Sequence, residues 1–283
     1  MHATLRAAMP FVLAAALATP AAASETWERT FDVAGEPTLA LRTNDGSVEV
    51  STWNKKAVGI RVIPTGWHLG SRGVRVDARQ SGDRVDVEVR LPSWGISFNF
   101  NHAVRIEVML PARATLDVNT GDGAVTVQPM AGTIRIHTGD GSIDVSGLKG
   151  DISLETSDGQ VQATDLDGRV RVHSGDGRLR VSGRFDRLEL TSGDGGIEAR
   201  VEPGSKLAAE WLVRTGDGRI HLDVPRDLKA NLDVHTGDGG ITLDLPVAIV
   251  GRVTHSSVVG SMNGGGPPIM IRSGDGSITI GPA

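Results

Sequence analysis

The sequence predicts an all-β fold, a parallel β-solenoid that forms a flattened two-sheet β-helix with coils of about 18 residues and a more irregular N-terminal part. Three observations carry that prediction. A nine-residue repeat runs without a gap from Thr120 to Arg200, aliphatic residues alternate within every repeat, and a carboxylate returns every eighteen residues. In register the units read TGDGAVTVQ, PMAGTIRIH, TGDGSIDVS, GLKGDISLE, TSDGQVQAT, DLDGRVRVH, SGDGRLRVS, GRFDRLELT and SGDGGIEAR. The fourth position is Gly in eight of nine, Asp186 being the exception, and the sixth and eighth are aliphatic in all nine.

Positions five to nine of each unit predict a strand. Alternation with period two places the apolar side chains on one face of an extended chain. That inward set is Val125, Val127, Ile134, Ile136, Ile143, Val145, Ile152, Leu154, Val161, Ala163, Val170, Val172, Leu179, Val181, Leu188, Leu190, Ile197 and Ala199. Most are β-branched, which suits a pleated, half-buried surface. Positions one to four hold Thr, Ser, Gly and Asp, which turn a chain. One unit cannot bury its own apolar face, but stacked units can.

Odd and even units differ, so one coil contains two strands and two unlike corners. Odd units open TGDG, TSDG or SGDG and place Asp122, Asp140, Asp158, Asp176 and Asp194 at one corner. Even units carry Met130, Leu148, Leu166 and, shifted by one, Phe185 at the other. The first corner reads as thin and polar, its Asp accepting backbone N–H bonds in an Asx-type turn. The second reads as plugged by a large side chain. Further polar turns at Asp45, Asp217, Asp238 and Asp275 extend the pattern less strictly. The long gap before Asp275 predicts a degenerate coil around Ser256 and Ser257, and the segment Ser277 to Ile280 predicts a terminal coil or an edge strand.

Four segments result: a secretory signal at 1–23, irregular β coils and a cap with two loops at 24–118, the regular solenoid at 119–200, and coils with insertions at 201–283. Within the first segment, Arg6 supplies the positive charge, Ala7 to Ala18 a short apolar stretch, and Ala21, Ala22 and Ala23 a small-residue cleavage site. The stretch is too short for a membrane span of about 20 residues. There is no Cys among 283 residues, which excludes disulfides, thiolate metal sites, a Cys nucleophile and a lipidated N-terminal Cys. A periplasmic or extracellular location follows, with no transmembrane insertion of the mature chain. The 37 glycines fit a chain that turns every nine residues. A net charge of −5 without a basic tail gives no nucleic-acid surface.

Chemistry is sparse. There is no G-x-S-x-G elbow, H-E-x-x-H pair or phosphate loop, and no cofactor is expected. The column Asp122, Asp140, Asp158, Asp176 and Asp194 invites comparison with the calcium-binding β-roll, whose nonapeptide reads G-G-x-G-x-D-x-U-x. Position six, the ligand in that motif, is Val, Ile or Leu here, so the metal reading is the weaker alternative to a structural turn. His137, Glu155 and His173 fall in one outward column, which reads as a solvated ladder. Arg169, Arg171, Arg178, Arg180, Arg184 and Arg187 resemble a basic patch, but the register sends Arg178 and Arg180 to the opposite wall. It also sets Asp151 beside Arg169 and Glu189 beside Arg171. Two segments, Pro64 to Gly73 and Pro92 to His102, read as protruding loops. Their aromatic and imidazole residues Trp67, His68, Trp94, Phe98 and Phe100 are the candidate binding residues, and they equally suit capping of the open end of the solenoid. Trp211 reads as part of a coil insertion.

The recurrent [ST]-G-D-G-x-[IVL]-x-[VLI] turns, spaced by about eighteen residues, resemble those of the bacterial "putative adhesin" family, a domain of unknown function common in envelope proteins. The resemblance covers about Leu39 to Ile280 and is strongest from Val118 to Arg200. It implies a β-solenoid and carries over no catalytic or binding residue. Near Ser256 to Val258 the Gly-Asp-Gly turn is lost. An exported, non-enzymatic scaffold for adhesion or envelope interaction is the first expectation, with a protein or glycan of the envelope as partner. The alternatives are a polysaccharide-active β-helix enzyme, or an envelope-stress or assembly factor that binds another protein.

The register makes adjacent residues unequal. Val170→Asp should unfold the protein or cost several kcal/mol, because it buries an unpaired charge. Arg171→Asp, facing water, should cost far less. Urea unfolding of both variants checks this, and equal losses would mean the strand faces are misassigned.

Overall fold

Residues 25–92, 102–245 and 252–283 are described by the computed structural model of the chain, so the expected signal at 1–23 lies outside them. All regular elements among these residues are β-strands. All eighteen residues of the inward set are at most 3% exposed. They line two walls that face each other across one continuous core.

Equivalent strands of successive coils pair in parallel and in register. On one wall Val125–Val127 pairs with Ile143–Ser146, which pairs with residues 161–164. On the other, Arg113–Thr120, Ala131–Thr138, Lys149–Thr156 and residues 167–174 follow one another. The even-unit corner is not the free turn that its sequence predicts. Val161–Ser174 and Leu179–Ser192 each run through it as unbroken strands of 14 residues. The corner plugs Met130, Leu148, Leu166 and Phe185 are buried beneath it. Gly150 shows why Gly is needed there. Its φ of +118° disfavours any L side chain, and a Cβ would strike the carbonyl oxygen of Gly132 one coil below. A bulge accommodates the irregular eighth unit: Gly168 faces Phe185 and Arg169 faces Arg187, leaving Asp186 as the extra residue.

The polar corner is closed by its hydroxyl residue. The nine buried polar residues among those described are Thr43, Thr120, Thr138, Thr156, Ser174, Ser192, Thr215, Thr236 and Ser273, one for each polar turn. Thr156 represents the seven that reach a neighbouring turn, whereas Thr43 donates to the Asp45 carbonyl of its own turn and the Thr120 hydroxyl makes no bond among the described residues. The Thr156 Oγ1 lies 3.0 Å from the Gly139 carbonyl oxygen and 3.2 Å from that of Gly141, both in the previous coil, and shares its proton between them. The same oxygen accepts the Gly159 N–H at 3.1 Å, closing its own turn. The fourth-position Gly must be bare for the coils to approach, since a Cβ on Gly159 would overlap the Gly141 carbonyl. The Asx-type role expected of the Asp is thereby corrected. Of the nine turn aspartates, only Asp45 makes a side-chain bond within its turn among the described residues, to the N–H of Gly46 at 2.5 Å. The Asp side chains point outward, where water solvates them.

Coil order in space departs from coil order in sequence at both ends. Thr38–Thr43 lies between Arg84–Arg90 and Arg113–Thr120, so the chain between them travels outward and returns. Pro268–Ser273 lies between Trp211–Thr215 and Ala230–Thr236, and Ile278–Pro282 lies between Ile220–Val224 and Ile241–Leu243. The expected terminal coil at Ser277 to Ile280 is therefore an internal one. The expected degenerate coil near Ser256 is instead an antiparallel strand, Ser257–Met262, laid along Ala230–Thr236. Antiparallel strands also flank the N-terminal end: Trp27–Asp32 on Ala57–Thr65, and Arg75–Ser81 on Arg84–Arg90. Reversed polarity ends the stack of parallel coils, and the mostly exposed, charge-bearing Arg75–Ser81 makes a poor template for further pairing. Trp211 is not in an insertion. It opens the strand Trp211–Thr215, is fully buried, and meets Phe185 edge-on at 6.3 Å.

The buried hydroxyls should be indispensable and interchangeable. Thr156→Val keeps the volume but leaves the buried Gly159 N–H and the buried Gly141 carbonyl without a partner, while the Gly139 carbonyl keeps the Ser157 N–H, an expected loss of about 1–3 kcal/mol. Thr156→Ser should lose much less, as Ser174 and Ser192 fill the same place. Equilibrium urea unfolding gives both values.

Candidate interaction surfaces

Rigid strands place outward side chains at fixed intervals, about 4.8 Å between coils and about 7 Å between alternate residues along a strand. Four surfaces result. The first is the polar ridge, where Asp45, Asp122, Asp140, Asp158, Asp176, Asp194, Asp217, Asp275 and Asp238 follow one another in space, all exposed. Among the described residues no three His, Asp or Glu side chains converge closely enough to hold a metal ion.

The second surface is the outer face of the wall that carries Lys149–Thr156. His137 faces Glu155, which faces His173, and the His137 Nδ1 is 3.6 Å from a Glu155 oxygen. One strand position away from the corner, Arg171 bonds Glu189 at 2.9 Å, and in the next column Arg169 bonds Asp151 at 2.6 Å. These are the cross-strand pairs that the register predicts. The opposite wall carries Arg180, 3.4 Å from Glu198. At the plugged corner Arg184 bonds Asp167 at 2.6 Å, and this bond raises the pKa of the guanidinium above its ordinary value.

A shallow hollow of about 400 Å³ lies on the second surface, bordered by Arg135, Asp151, Ser153, Arg169, Arg171, Arg187 and Glu189. Arg135, Ser153, Arg171 and Glu189 form one column, in that order, over four neighbouring strands. Ser153 is the short member, so the hollow opens where its side chain stops. Arg135 and Ser153 did not stand out in the sequence. Counting eighteen residues forward from Arg135 finds Ser153, and eighteen more finds Arg171, so the repeat period was the signal that could have found them.

The third surface holds Trp67 and His68. Pro64 and Thr65 finish the strand Ala57–Thr65, so the loop is shorter than Pro64 to Gly73. The Trp67 ring packs partly against the core and lies 4.3 Å from the His102 ring, centre to centre, while His68 is exposed. Trp94, Phe98 and Phe100 fall outside the described residues. The fourth is a cleft of about 430 Å³ where the loop around Gly204 meets those around Asp227 and Gly266.

The profile of a family described as Toastrack DUF4097 matches residues 37–281. Solved structures similar to this chain include a putative adhesin from Bacteroides fragilis NCTC 9343, 12% identical with a TM-score of 0.50, the match covering 91% of this chain and 98% of that one. Another is a putative lipid binding protein from Parabacteroides distasonis ATCC 8503, 12% identical with a TM-score of 0.40, covering 90% and 96%. At 12% identity the likeness to the B. fragilis structure is one of fold. No curated protein matches the chain.

The Asp ridge stacks like charges, and apart from Asp45 none has a turn bond to offset them among the described residues. Asp158→Asn should therefore stabilise the protein by a few tenths of a kcal/mol, more at low ionic strength than at high. Thermal melts at two salt concentrations check the sign. A loss of stability would mean that Asp158 makes a structural bond after all.

Proposed function

Because the chain belongs to the Toastrack DUF4097 family, we propose that it is an exported, non-enzymatic β-solenoid scaffold with an adhesin-like role, holding a binding surface toward a protein or glycan of the cell envelope. The observation that carries this reading is the unbroken core beneath two flat polar walls. Such a frame fixes the spacing of outward groups over many coils, which suits recognition of an extended partner. The likeness to a putative adhesin of B. fragilis supports the same role. The amino-terminal sequence of 1–23 supports export to the periplasm or beyond. No helix among the described residues is long and apolar enough to cross a membrane.

Trp67 and His68 are the proposed contact residues, together with Trp94, Phe98 and Phe100, which lie outside the described residues. An amphipathic Trp on a rigid frame offers contact area at low entropic cost. The pairing with His102 holds the Trp67 ring in place.

The test presents the purified mature protein to washed cell envelopes and to a glycan array. Saturable binding without release of reducing sugar is expected, with Trp67→Ala weakening it several-fold while leaving the circular dichroism spectrum unchanged. Polysaccharide turnover abolished by a single Asp substitution would overturn the reading, as would absence of saturable binding to both targets.

A further inference from the structure

The geometry points to the hollow around Ser153 as a binding site for an extended acidic polysaccharide, its carboxylate or sulfate groups held by Arg135, Arg169, Arg171 and Arg187. The inference deepens the scaffold reading above and rests on it.

Charge is the first argument. The hollow contains four guanidinium groups and two carboxylates, Asp151 and Glu189, in a chain whose net charge is −5. The carboxylates do not neutralise the arginines evenly. Asp151 is committed to Arg169 at 2.6 Å and Glu189 to Arg171 at 2.9 Å. Arg187 reaches the same Glu189 oxygen only at 3.8 Å, as second claimant. Arg135 has no acidic partner among the described residues, and the Ser153 hydroxyl makes no hydrogen bond there. Two positive charges and one hydroxyl are thus left for an outside ligand. Arg169 and Arg187 also face each other on adjacent strands, a like-charge contact that an anion between them would relieve.

Spacing is the second argument, and it separates a polymer from a small anion. Arg135 and Arg171 are two strands apart, about 10 Å, with Ser153 between them. Arg169 and Arg187 lie in the next column, about 7 Å away along the strands. The four groups cannot converge on one phosphate or carboxylate. They can each meet a different anionic group of a chain laid across the coils. Arg suits this task because its planar fork takes a carboxylate or sulfate with two hydrogen bonds. Single-stranded nucleic acid, another linear polyanion, is bound through aromatic platforms that stack bases, and no aromatic residue borders the hollow.

The experiment measures binding of the full mature protein to immobilised polygalacturonate and heparin, with neutral dextran and single-stranded DNA as comparison surfaces. Both acidic polysaccharides should bind, less strongly as salt rises, and dextran should not. The double variant Arg135→Glu/Arg187→Glu should lose about tenfold or more in affinity. Arg178→Glu, on the opposite wall, should bind as the parent does. Matching melting temperatures establish that each variant is folded, and Arg135→Gln/Arg187→Gln provides a milder second variant. Unchanged binding by both double variants, or equal binding of dextran, would overturn the site. DNA binding as tight as that of the polysaccharides would replace the assignment with unspecific polyanion attraction. Failure of both acidic polymers to bind, alongside saturable binding to envelopes, would remove this site and leave the scaffold role standing.

Discussion

The fold depends on one hydrogen-bonding centre repeated at seven of the nine polar corners among the described residues: a buried Thr or Ser hydroxyl that donates to the adjacent turn. A chain that reverses direction in four residues leaves backbone groups that no strand can partner, and burying them bare is costly. The Thr156 oxygen meets two of them at once, the Gly141 carbonyl and the Gly159 N–H, and adds a second bond to the Gly139 carbonyl. This contact requires the coils to approach closely, so the facing fourth-position residue must have no side chain. It also requires every coil to place its hydroxyl at the same height, which fixes the register of both walls. The eighteen-residue period follows from this registration, as the core alone would tolerate small slips of aliphatic against aliphatic.

Local alternation made the walls legible in the sequence, because side-chain direction in a strand is fixed by counting. The same counting placed Asp151 beside Arg169, and His137, Glu155 and His173 in one column. Two things were not legible. A hydroxyl residue, Thr or Ser, and an Asp recur together in every polar turn, so the pattern could not say which of them closes it. Burial decided that question: the hydroxyls are inside and the carboxylates outside. Neighbour order was hidden for a different reason. Every coil presents nearly the same parallel edge, so the edge of Trp211–Thr215 accepts Pro268–Ser273 as readily as the next strand in sequence. Ser256 and Ser257 pointed to a degenerate coil, yet a strand of reversed polarity begins at Ser257. Polarity is a property of the connection and leaves no mark on composition.

The candidate surfaces follow the same division. Ion pairs between coils could be counted from the repeat. The hollow could not, because a serine is conspicuous only when both of its column neighbours are long. Ser153 between Arg135 and Arg171 is such a case, and its effect exists only after stacking. The aromatic residues near the N-terminal end carry no period at all, so the sequence left open whether they seal the stack or face a partner. Trp67 leans on the core and is next to the exposed His68.

A stack built this way separates the residues that hold the fold from those that face outward. Inward residues and the corner hydroxyls hold the coils together, and each contacts mainly its neighbours in adjacent coils, so the effect of an outward substitution remains local. Exposed ion pairs contribute little to folding, which frees the outer columns to carry whatever charge pattern a partner favours. The two most charged features use this freedom in opposite ways. On the ridge, nine carboxylates repeat with the hydroxyl ladder, one per coil. On the wall, the basic excess is confined to four strands and breaks the repeat. A feature tied to every coil is explained by the fold. One that departs from the period at a single place needs another cause, and Arg135, Ser153 and Arg187 are where this chain departs.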